Sequence, residues 1–395
     1  MELEKNADRR HAFIFHGKGS EYFRIWIVNI VLTVITLGIY LPWAMVRARK
    51  YMCSKTELSG AFFSYHAKGG AIFVSWLLLL VAYVLFVVAL ANKSVFVGSV
   101  MALLLVLFLP WLIVLSLRYQ ALMTRINDIR FSFNCAPLRA WWVMLGCPLL
   151  LIFVGALILL GCLKAMPSPD SLNSLIASVI IGGLAALILF GIINGICLAM
   201  WMRMFADSSS LGNLRFSALI NTKQCVKMSV LSNLILLPFI AVIVKINAPI
   251  LSEVTLSIMS GLSQSEIEAN IYANYSGVIL TSYLIYFMAI LVSIGYVFTA
   301  LRNYFWSALK LGDHIRFSST LNFPQMVWIL ISNFVLVMVT CGLAYPWARV
   351  RFLRYTASHS EVIGSLDDIQ DSDEAMKSGV LTVLSRGLIV NIPFI

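Results

Sequence analysis

The stretch TLGIYLPWAMVRARKY, residues 36–51, lies where an apolar segment meets a basic one, and a close copy, TCGLAYPWARVRFLRY, occupies residues 340–355. The two copies align without a gap at an offset of 304 residues, as in 346 − 42 and 351 − 47. The matching register covers residues 13–60 in the first copy and 317–364 in the second. A register held over this length indicates an internal repeat.

A fainter copy lies between these two, where residues 110–132 match residues 42–64 at an offset of 68. Leu112 and Leu115 stand there in place of Ala44 and Arg47. The end of the unit returns as LGNLRFS and LGDHIRFS, at residues 211–217 and 311–318. The predicted unit is an apolar helix, a basic aromatic stretch, a Phe-Ser turn into the membrane and the next apolar helix. The predicted fold class is therefore an all-α polytopic membrane protein built from helical-hairpin repeats.

The composition is that of a membrane protein. Of the 395 residues, 60% are hydrophobic and 12% are charged, whereas about a quarter of the residues of a soluble domain are charged. Six apolar runs are long enough to cross a hydrocarbon core, which takes about 20 residues of helix. The predicted transmembrane helices cover residues 71–91, 95–117, 141–163, 172–202, 228–246 and 277–300.

Two terminal apolar segments, residues 25–41 and 325–345, are related by the repeat and bring the possible total to eight. Each has basic residues on both flanks. Full crossings would give eight spans and external termini, whereas kinked re-entrant elements would give six spans and internal termini. Polar and glycine residues within the segments fit a broken helix and fit packing between full spans equally well. Both alternatives stay open.

The net charge of +11 requires an anionic partner. Because the chain is so apolar, we expect anionic lipid headgroups as partners and no nucleic acid. Basic residues gather in alternate connections, whereas the longest of the other connections, residues 245–276, contains three glutamates. By the positive-inside rule, the basic connections face the cytoplasm of a bacterial inner membrane.

The repeated motif has the chemistry of a membrane boundary. Proline ends one helix and begins the next, tryptophan and tyrosine favour the interfacial layer, and arginine reaches headgroups with its long side chain. The predicted lipid-headgroup residues are Pro42, Trp43, Arg47, Arg49, Tyr51, Pro346, Trp347, Arg349, Arg351 and Tyr355. The predicted helix-packing residues are Asn29, Gly38, Gly191, Gly195, Asn333 and Gly342.

No motif indicates catalysis, a metal or a cofactor. The five histidines and seven cysteines lack zinc-ligand spacing, and GKGS at residues 17–20 lacks two of the residues that a P-loop requires. We therefore predict no catalytic, metal or cofactor residues and expect no enzyme. Residues 1–357 are predicted as a single membrane domain, and residues 358–395 as an acidic tail.

The repeated T-x-G-x-x-x-P-W-A-x-V-R, together with FIFHGKGSEYFRIWIVN at residues 13–29, resembles the YjgN family of bacterial inner-membrane proteins. The likeness spans nearly the whole chain. It implies a multi-pass protein of a Gram-negative cytoplasmic membrane, and it supplies no activity.

Two functions remain as hypotheses. Several spans and an internal repeat are typical of transporters. Because no Asp, Glu, Lys, Arg or His lies in the central part of the spans, an uncoupled channel or permease for small or amphipathic molecules is expected rather than an ion-coupled carrier. The alternative is a non-transport membrane scaffold that organises anionic lipids.

Overall fold

The protein is described from a computed structural model that covers residues 9–91, 95–165, 172–366 and 369. Within these residues the chain forms five consecutive units, and each unit is a strand, two helices and a second strand. The strands are β1 (Arg10–Phe15), β2 (Thr56–Leu58), β3 (Ala61–Tyr65), β4 (Thr124–Ile126), β5 (Ile129–Phe133), β6 (Ser209–Leu211), β7 (Leu214–Ala218), β8 (Leu309–Leu311), β9 (Ile315–Ser319) and β10 (Ser360–Ile363). The helices are α1 (Gly19–Ile35), α2 (Leu41–Ser54), α3 (Gly69–Ala91), α4 (Val95–Met123), α5 (Pro137–Ala165, with a π-helical turn at Trp142–Gly146), α6 (Leu172–Ser208), α7 (Thr222–Met259), α8 (Gln264–Ala308), α9 (Phe323–Val339) and α10 (Tyr345–Ser358).

The predicted all-α fold is wrong, because the ten described strands form a closed antiparallel barrel. The two strands of each unit pair with each other, and short hairpins pair one unit with the next. Strand β10 pairs with β1 and closes the ring. These strands were not evident from the sequence because several have only three residues. That is too few for an alternation of polar and apolar residues to be recognised.

The predicted Phe-Ser turn is part of a strand, as at Phe131 and Ser132 in β5. The turns lie just before it, where the backbone takes left-handed dihedral angles. Asn127 and Asp128 have φ of 46° and 63°, and Gly312 has φ of 59°. Asparagine, aspartate and glycine accept this conformation, which suits a tight antiparallel hairpin.

Apolar side chains fill the described part of the barrel interior. The first strand of every unit contributes one phenylalanine, and each lies directly opposite an aliphatic residue on the second strand of its unit. These pairs are Phe13 and Leu58, Phe63 and Ile126, Phe131 and Leu211, Phe216 and Leu311, and Phe317 and Val362. All ten side chains belong to one packed cluster. The barrel is therefore a core that holds the units together, since its interior is occupied by side chains.

The three central units carry the long helices. Five helices, α4 to α8, are long and apolar enough to cross a membrane, and the longest has 45 residues. Helix α3 has 23 residues and contains no Asp, Glu, Lys, Arg or His. Each of the six predicted spans lies within one of these helices. The helices extend beyond the predicted ends because they continue to the barrel.

The two terminal units carry short helices that turn back on themselves. Helices α1 and α9 have 17 residues each. Thr36 Oγ1 donates to Leu32 O at 2.7 Å and accepts from Tyr40 N at 3.0 Å. Thr340 makes the matching bonds in the last unit. Neither terminal apolar segment is one straight crossing, because the second helix of each hairpin returns to the barrel.

The predicted division at residue 357 stays a prediction. Strand β10, Ser360–Ile363, lies in the first part of the predicted acidic tail and closes the barrel. Residues 367, 368 and 370–395 of that tail lie outside the described residues.

Candidate functional site

The repeated motif lies at joints where the second helix of one unit meets the first helix of the next. Trp43 on α2 covers Gly69 at the start of α3, and Trp347 on α10 covers Gly19 at the start of α1. A Cβ atom at either glycine would overlap the indole ring. The centroid of each indole also lies 5.1 Å from the centroid of a phenylalanine ring on the neighbouring helix. The tryptophans therefore join adjacent units, and the glycines provide the space for them.

Tyr51 and Tyr355 lie inside the protein, with 8% and 7% of their surface exposed. The Tyr51 hydroxyl donates to Lys18 O at 3.1 Å and accepts from Lys18 N at 3.0 Å. Tyr355 makes the same pair of bonds to Asn322, at 3.2 and 2.9 Å. Each tyrosine therefore holds the start of the first helix in its own unit and is not available to a lipid headgroup.

The predicted packing asparagines connect the two helices of the terminal hairpins. Asn29 Nδ2 donates to Ala44 O at 3.2 Å. Asn333 Nδ2 donates to Ala348 O at 3.1 Å, at matching positions of the repeat. The two hairpins therefore have the same internal geometry.

The predicted packing glycines fall into two groups. Gly38 and Gly342 lie in the hairpin turns with φ of +92° and +91°, which an L side chain rarely adopts. Gly191 and Gly195 on α6 face Val230 and Val226 of α7, and a Cβ at Gly191 would lie 2.9 Å from the Val230 backbone. This GxxxG pair brings two helices of the same chain into close contact.

A groove of about 610 Å³ lies between α9, α10 and the first residue of α1. We call it the terminal groove. Its aromatic lining comes from Trp328 and Trp347, of which 63% and 43% are exposed. Its polar lining consists of Gln325, Arg351, Arg354, Tyr355, Ser358 and His359. The groove therefore combines positive charge with exposed indole rings.

The two arginines of the terminal groove retain unused donors. Arg351 Nη1 donates to Ser332 Oγ at 2.8 Å, and Arg354 Nη2 donates to Gly17 O at 3.0 Å. Within the described residues, neither guanidinium forms an ion pair. A guanidinium has five N–H donors, so most of its capacity is free to bind an anion.

The other predicted headgroup residues differ in exposure. Arg47 is exposed at the position that matches Arg351, and Arg349 is half-buried. Arg49 Nη1 donates to Gln120 Oε1 at 2.7 Å, and its guanidinium lies 5.5 Å from the ring centroid of Tyr65. Burial raises the pKa of the Tyr65 phenol, and the Arg49 charge acts in the opposite direction. Both motif prolines, Pro42 and Pro346, are fully buried.

A second groove of about 380 Å³ lies between α4 and the start of α5. We call it the α4–α5 groove. Its lining includes Trp111, Leu115 and Arg118. Trp111 and Arg118 match Trp347 and Arg354 of the terminal groove at an offset of 236 residues, as in 347 − 111 and 354 − 118. Leu115 occupies the place of Arg351, so this groove has one arginine fewer.

No group of three or more His, Cys, Asp or Glu residues in the described part of the chain could hold a metal ion.

Comparison with known proteins identifies a family. Residues 10–380 match the family described as bacterial protein of unknown function (DUF898). Inner membrane protein YjgN of Salmonella typhimurium strain LT2 is 37% identical over 396 residues, which cover 100% of this chain and 99% of that protein. The protein of the same name from Escherichia coli strain K12 is 34% identical over 390 residues, or 98% and 97% of the two chains. No solved structure matches the chain.

These relatives confirm the resemblance to the YjgN family and the predicted location. With its long apolar helices, the protein is a multi-pass protein of the bacterial inner membrane. None of these relatives is named for an enzymatic activity. The chain belongs to the DUF898 family of bacterial proteins of unknown function, whose match covers the barrel and all five units.

Proposed function

We propose that the protein is a membrane scaffold that binds the headgroups of anionic phospholipids at its terminal hairpins. One observation carries this proposal: the Arg351 guanidinium lies exposed in the terminal groove, beside Trp328 and Trp347, with donors to spare. Guanidinium binds phosphate through parallel charge-assisted hydrogen bonds. Indole rings favour the layer in which the headgroups lie.

The length of the α9–α10 hairpin supports the same function. Its tip is apolar, with Val339 78% exposed and Leu343 52% exposed. Nine positions separate Gly342 at the tip from Arg351, which is roughly 14 Å at 1.5 Å per residue. That distance is about half of a 30 Å hydrocarbon core. A hairpin inserted with its tip at the middle of the bilayer would hold Arg351 at headgroup level.

The first unit repeats this arrangement next to the last one. The tip of the α1–α2 hairpin exposes Ile35 and Leu37 at 71% and 93%. Arg47 is exposed at the position of Arg351. Because β1 and β10 pair, the two terminal hairpins are neighbours around the barrel. Two headgroup sites on adjacent hairpins would gather anionic lipid on one side of the protein.

The test is lipid binding by the purified full-length protein in a neutral detergent. Titration with short-chain phosphatidylglycerol is compared between the wild type and a variant with Arg47→Gln and Arg351→Gln. Each arginine near an anionic surface contributes about 1 kcal/mol, so we expect roughly fivefold weaker binding at each site. Short-chain phosphatidylcholine should bind both proteins alike.

A control variant removes the same charge from the barrel. Arg215 and Arg316 lie exposed on β7 and β9, and neither lines the terminal groove or the α4–α5 groove. Replacing both with Gln should leave the phosphatidylglycerol affinity unchanged. Equal affinity of the wild type and the Arg47→Gln, Arg351→Gln variant would rule out the proposed lipid site.

An uncoupled channel or permease for small or amphipathic molecules is the second candidate function. One feature favours it: α4 makes its close backbone contacts with α5 along Pro137–Trp141 and the π-helical turn Trp142–Gly146, and few follow beyond that turn. A route for solutes would begin at this point between the two helices, because apolar side chains fill the described part of the barrel. Fluorescent-lipid and small-solute flux in reconstituted vesicles tests it, and rates equal to those of protein-free vesicles would exclude this function.

A further inference from the structure

Three polar side chains form a buried row on one face of α8, close to the barrel. Thr299, Arg302 and Trp306 follow the spacing i, i+3 and i+7, which places them along one side of a helix. Their exposed fractions are 5%, 8% and 5%. We call them the buried donor row.

Each member of the row has a donor without a partner in the described part of the protein. Within the described residues, Thr299 Oγ1, Arg302 Nε and Trp306 Nε1 are buried and make no hydrogen bond. Buried donors are nearly always paired, because an unpaired donor loses its bond to water and gains nothing in return. Three such donors on one helix face indicate a ligand that accepts hydrogen bonds.

The contacts of the buried Arg302 guanidinium in the described part of the protein are with neutral groups. Its Cζ lies 4.5 Å from the centroid of the Trp306 ring, and its Nη2 donates to Ser360 Oγ at 3.1 Å. No carboxylate of the described residues forms an ion pair with it. A buried cation without a counter-ion is costly, and a cation–π contact and one hydroxyl offset only part of that cost.

The buried donor row lies where three units of the barrel meet. The Trp306 ring packs edge-on against Phe13 of the first unit and Phe317 of the fifth, with ring centroids 5.5 and 5.8 Å apart. Ser360, the partner of Arg302, is on β10. A ligand at Arg302 would therefore connect the fourth unit to the strand that closes the ring.

We propose that Arg302 Nε and Trp306 Nε1 together bind one small inorganic anion, with chloride as its representative, and that Thr299 supplies a third donor one turn away. An anion takes hydrogen bonds from several donors and supplies the missing negative charge, whereas a water molecule supplies no charge. A phospholipid does not fit this site, because its acyl chains must reach the bilayer and all three side chains are almost completely buried. This site is separate from the terminal groove and does not depend on lipid binding there.

The experiment is thermal unfolding of the full-length protein in detergent, in sodium chloride and in sodium gluconate of equal ionic strength. An ion that binds only the folded state raises the unfolding midpoint in proportion to ln(1 + [L]/Kd). We therefore expect a midpoint several degrees higher in chloride, with a dependence on chloride concentration that follows this relation. Crystals soaked in bromide should show an anomalous peak between Arg302 and Trp306.

Variants separate the anion site from general stability. Trp306→Phe keeps the aromatic ring and removes the Nε1 donor, so it should lose at least half of the chloride-dependent shift. Trp328→Phe, at an exposed tryptophan on α9, is the matched control and should keep the whole shift. The Arg47→Gln, Arg351→Gln variant should also keep it. Arg302→Gln removes the Nε donor and the charge, so it should also lose the chloride-dependent shift. If that variant does not fold, the comparison of Trp306→Phe with Trp328→Phe and the bromide soak still test the proposal.

Two results would overturn the proposal. The first is an equal midpoint of the wild type in chloride and gluconate together with no bromide peak, which would mean that ordered water alone fills the site. The second is a chloride shift that Trp306→Phe retains in full.

Discussion

The terminal groove and the α4–α5 groove lie at equivalent joints of the repeat and differ in charge. Arg354 and Arg118 match each other in the two linings, whereas Arg351 in the first is matched by Leu115 in the second. The arginine at the position of Arg354 therefore recurs in both grooves, whereas the residue at the position of Arg351 differs. The structure gives a physical reason for each.

The position of Arg354 joins neighbouring units at three of the joints. There the residue that aligns with Arg354 donates from the second helix of its unit to the backbone just before the first helix of the next unit. The bonds are Arg203 to Ile220 O at 2.6 Å, Asn303 to Leu321 O at 2.9 Å and Arg354 to Gly17 O at 3.0 Å. Within the described residues, Arg351 bonds only to Ser332 of its own unit, so the joint does not require an arginine at this position, and the α4–α5 groove has a leucine there.

The largest effect is expected at the tryptophan contact that two of the joints share. Gly69→Ala should destabilise the protein by about 2 kcal/mol, because the new methyl group overlaps the Trp43 ring. Gly70→Ala is the matched control, since a Cβ there meets nothing within 4 Å, and it should be neutral or slightly stabilising. Urea unfolding in detergent measures both, and equal stabilities would mean that the indole moves aside without cost.

A smaller effect is expected for the tyrosine that holds the last unit. Tyr355→Phe removes both hydrogen bonds to Asn322 and leaves a backbone N–H unpaired, which should cost about 1.5 kcal/mol. Tyr345→Phe, at an exposed tyrosine of the same helix, should cost little. Urea unfolding of the two variants tests the pair, and a Tyr355→Phe variant as stable as the wild type would show that these bonds do not stabilise the unit.

The smallest effect tests the difference between the two grooves directly. Leu115→Arg gives the α4–α5 groove the arginine that it lacks. We expect it to gain roughly fivefold in affinity for short-chain phosphatidylglycerol at that groove, because an interfacial arginine contributes about 1 kcal/mol. Leu115→Gln is the control for polarity without charge. Identical binding by the two variants would show that charge at this position is not what distinguishes the grooves.

Prediction from sequence succeeded for long, local features. The long helices were predictable because runs of apolar residues need no partner to be recognised. The strands were missed, although a tyrosine stands seven residues before the barrel aliphatic in four units. Those pairs are Tyr51 and Leu58, Tyr119 and Ile126, Tyr304 and Leu311, and Tyr355 and Val362. This regular spacing was the available signal for a common strand.

The candidate sites were predictable in part. Arg351 and Trp347 were predicted from the motif, and both line the terminal groove. Tyr51 was predicted to face headgroups and instead binds Lys18 inside the protein. Arg302 was missed because it stands just after a predicted span, where an arginine usually marks the cytoplasmic flank.

The sequence by itself determined that this is a membrane protein with an internal repeat and six long apolar helices. These properties depend on local composition, because the free energy of transferring a segment into the bilayer is set by the residues of that segment. Only the tertiary structure decided that the units close into a barrel, that the terminal hairpins turn back and that Arg302 is buried without a counter-ion among the described residues. These properties depend on contacts between residues far apart in the chain, since a short strand or a buried charge is defined by what lies beside it.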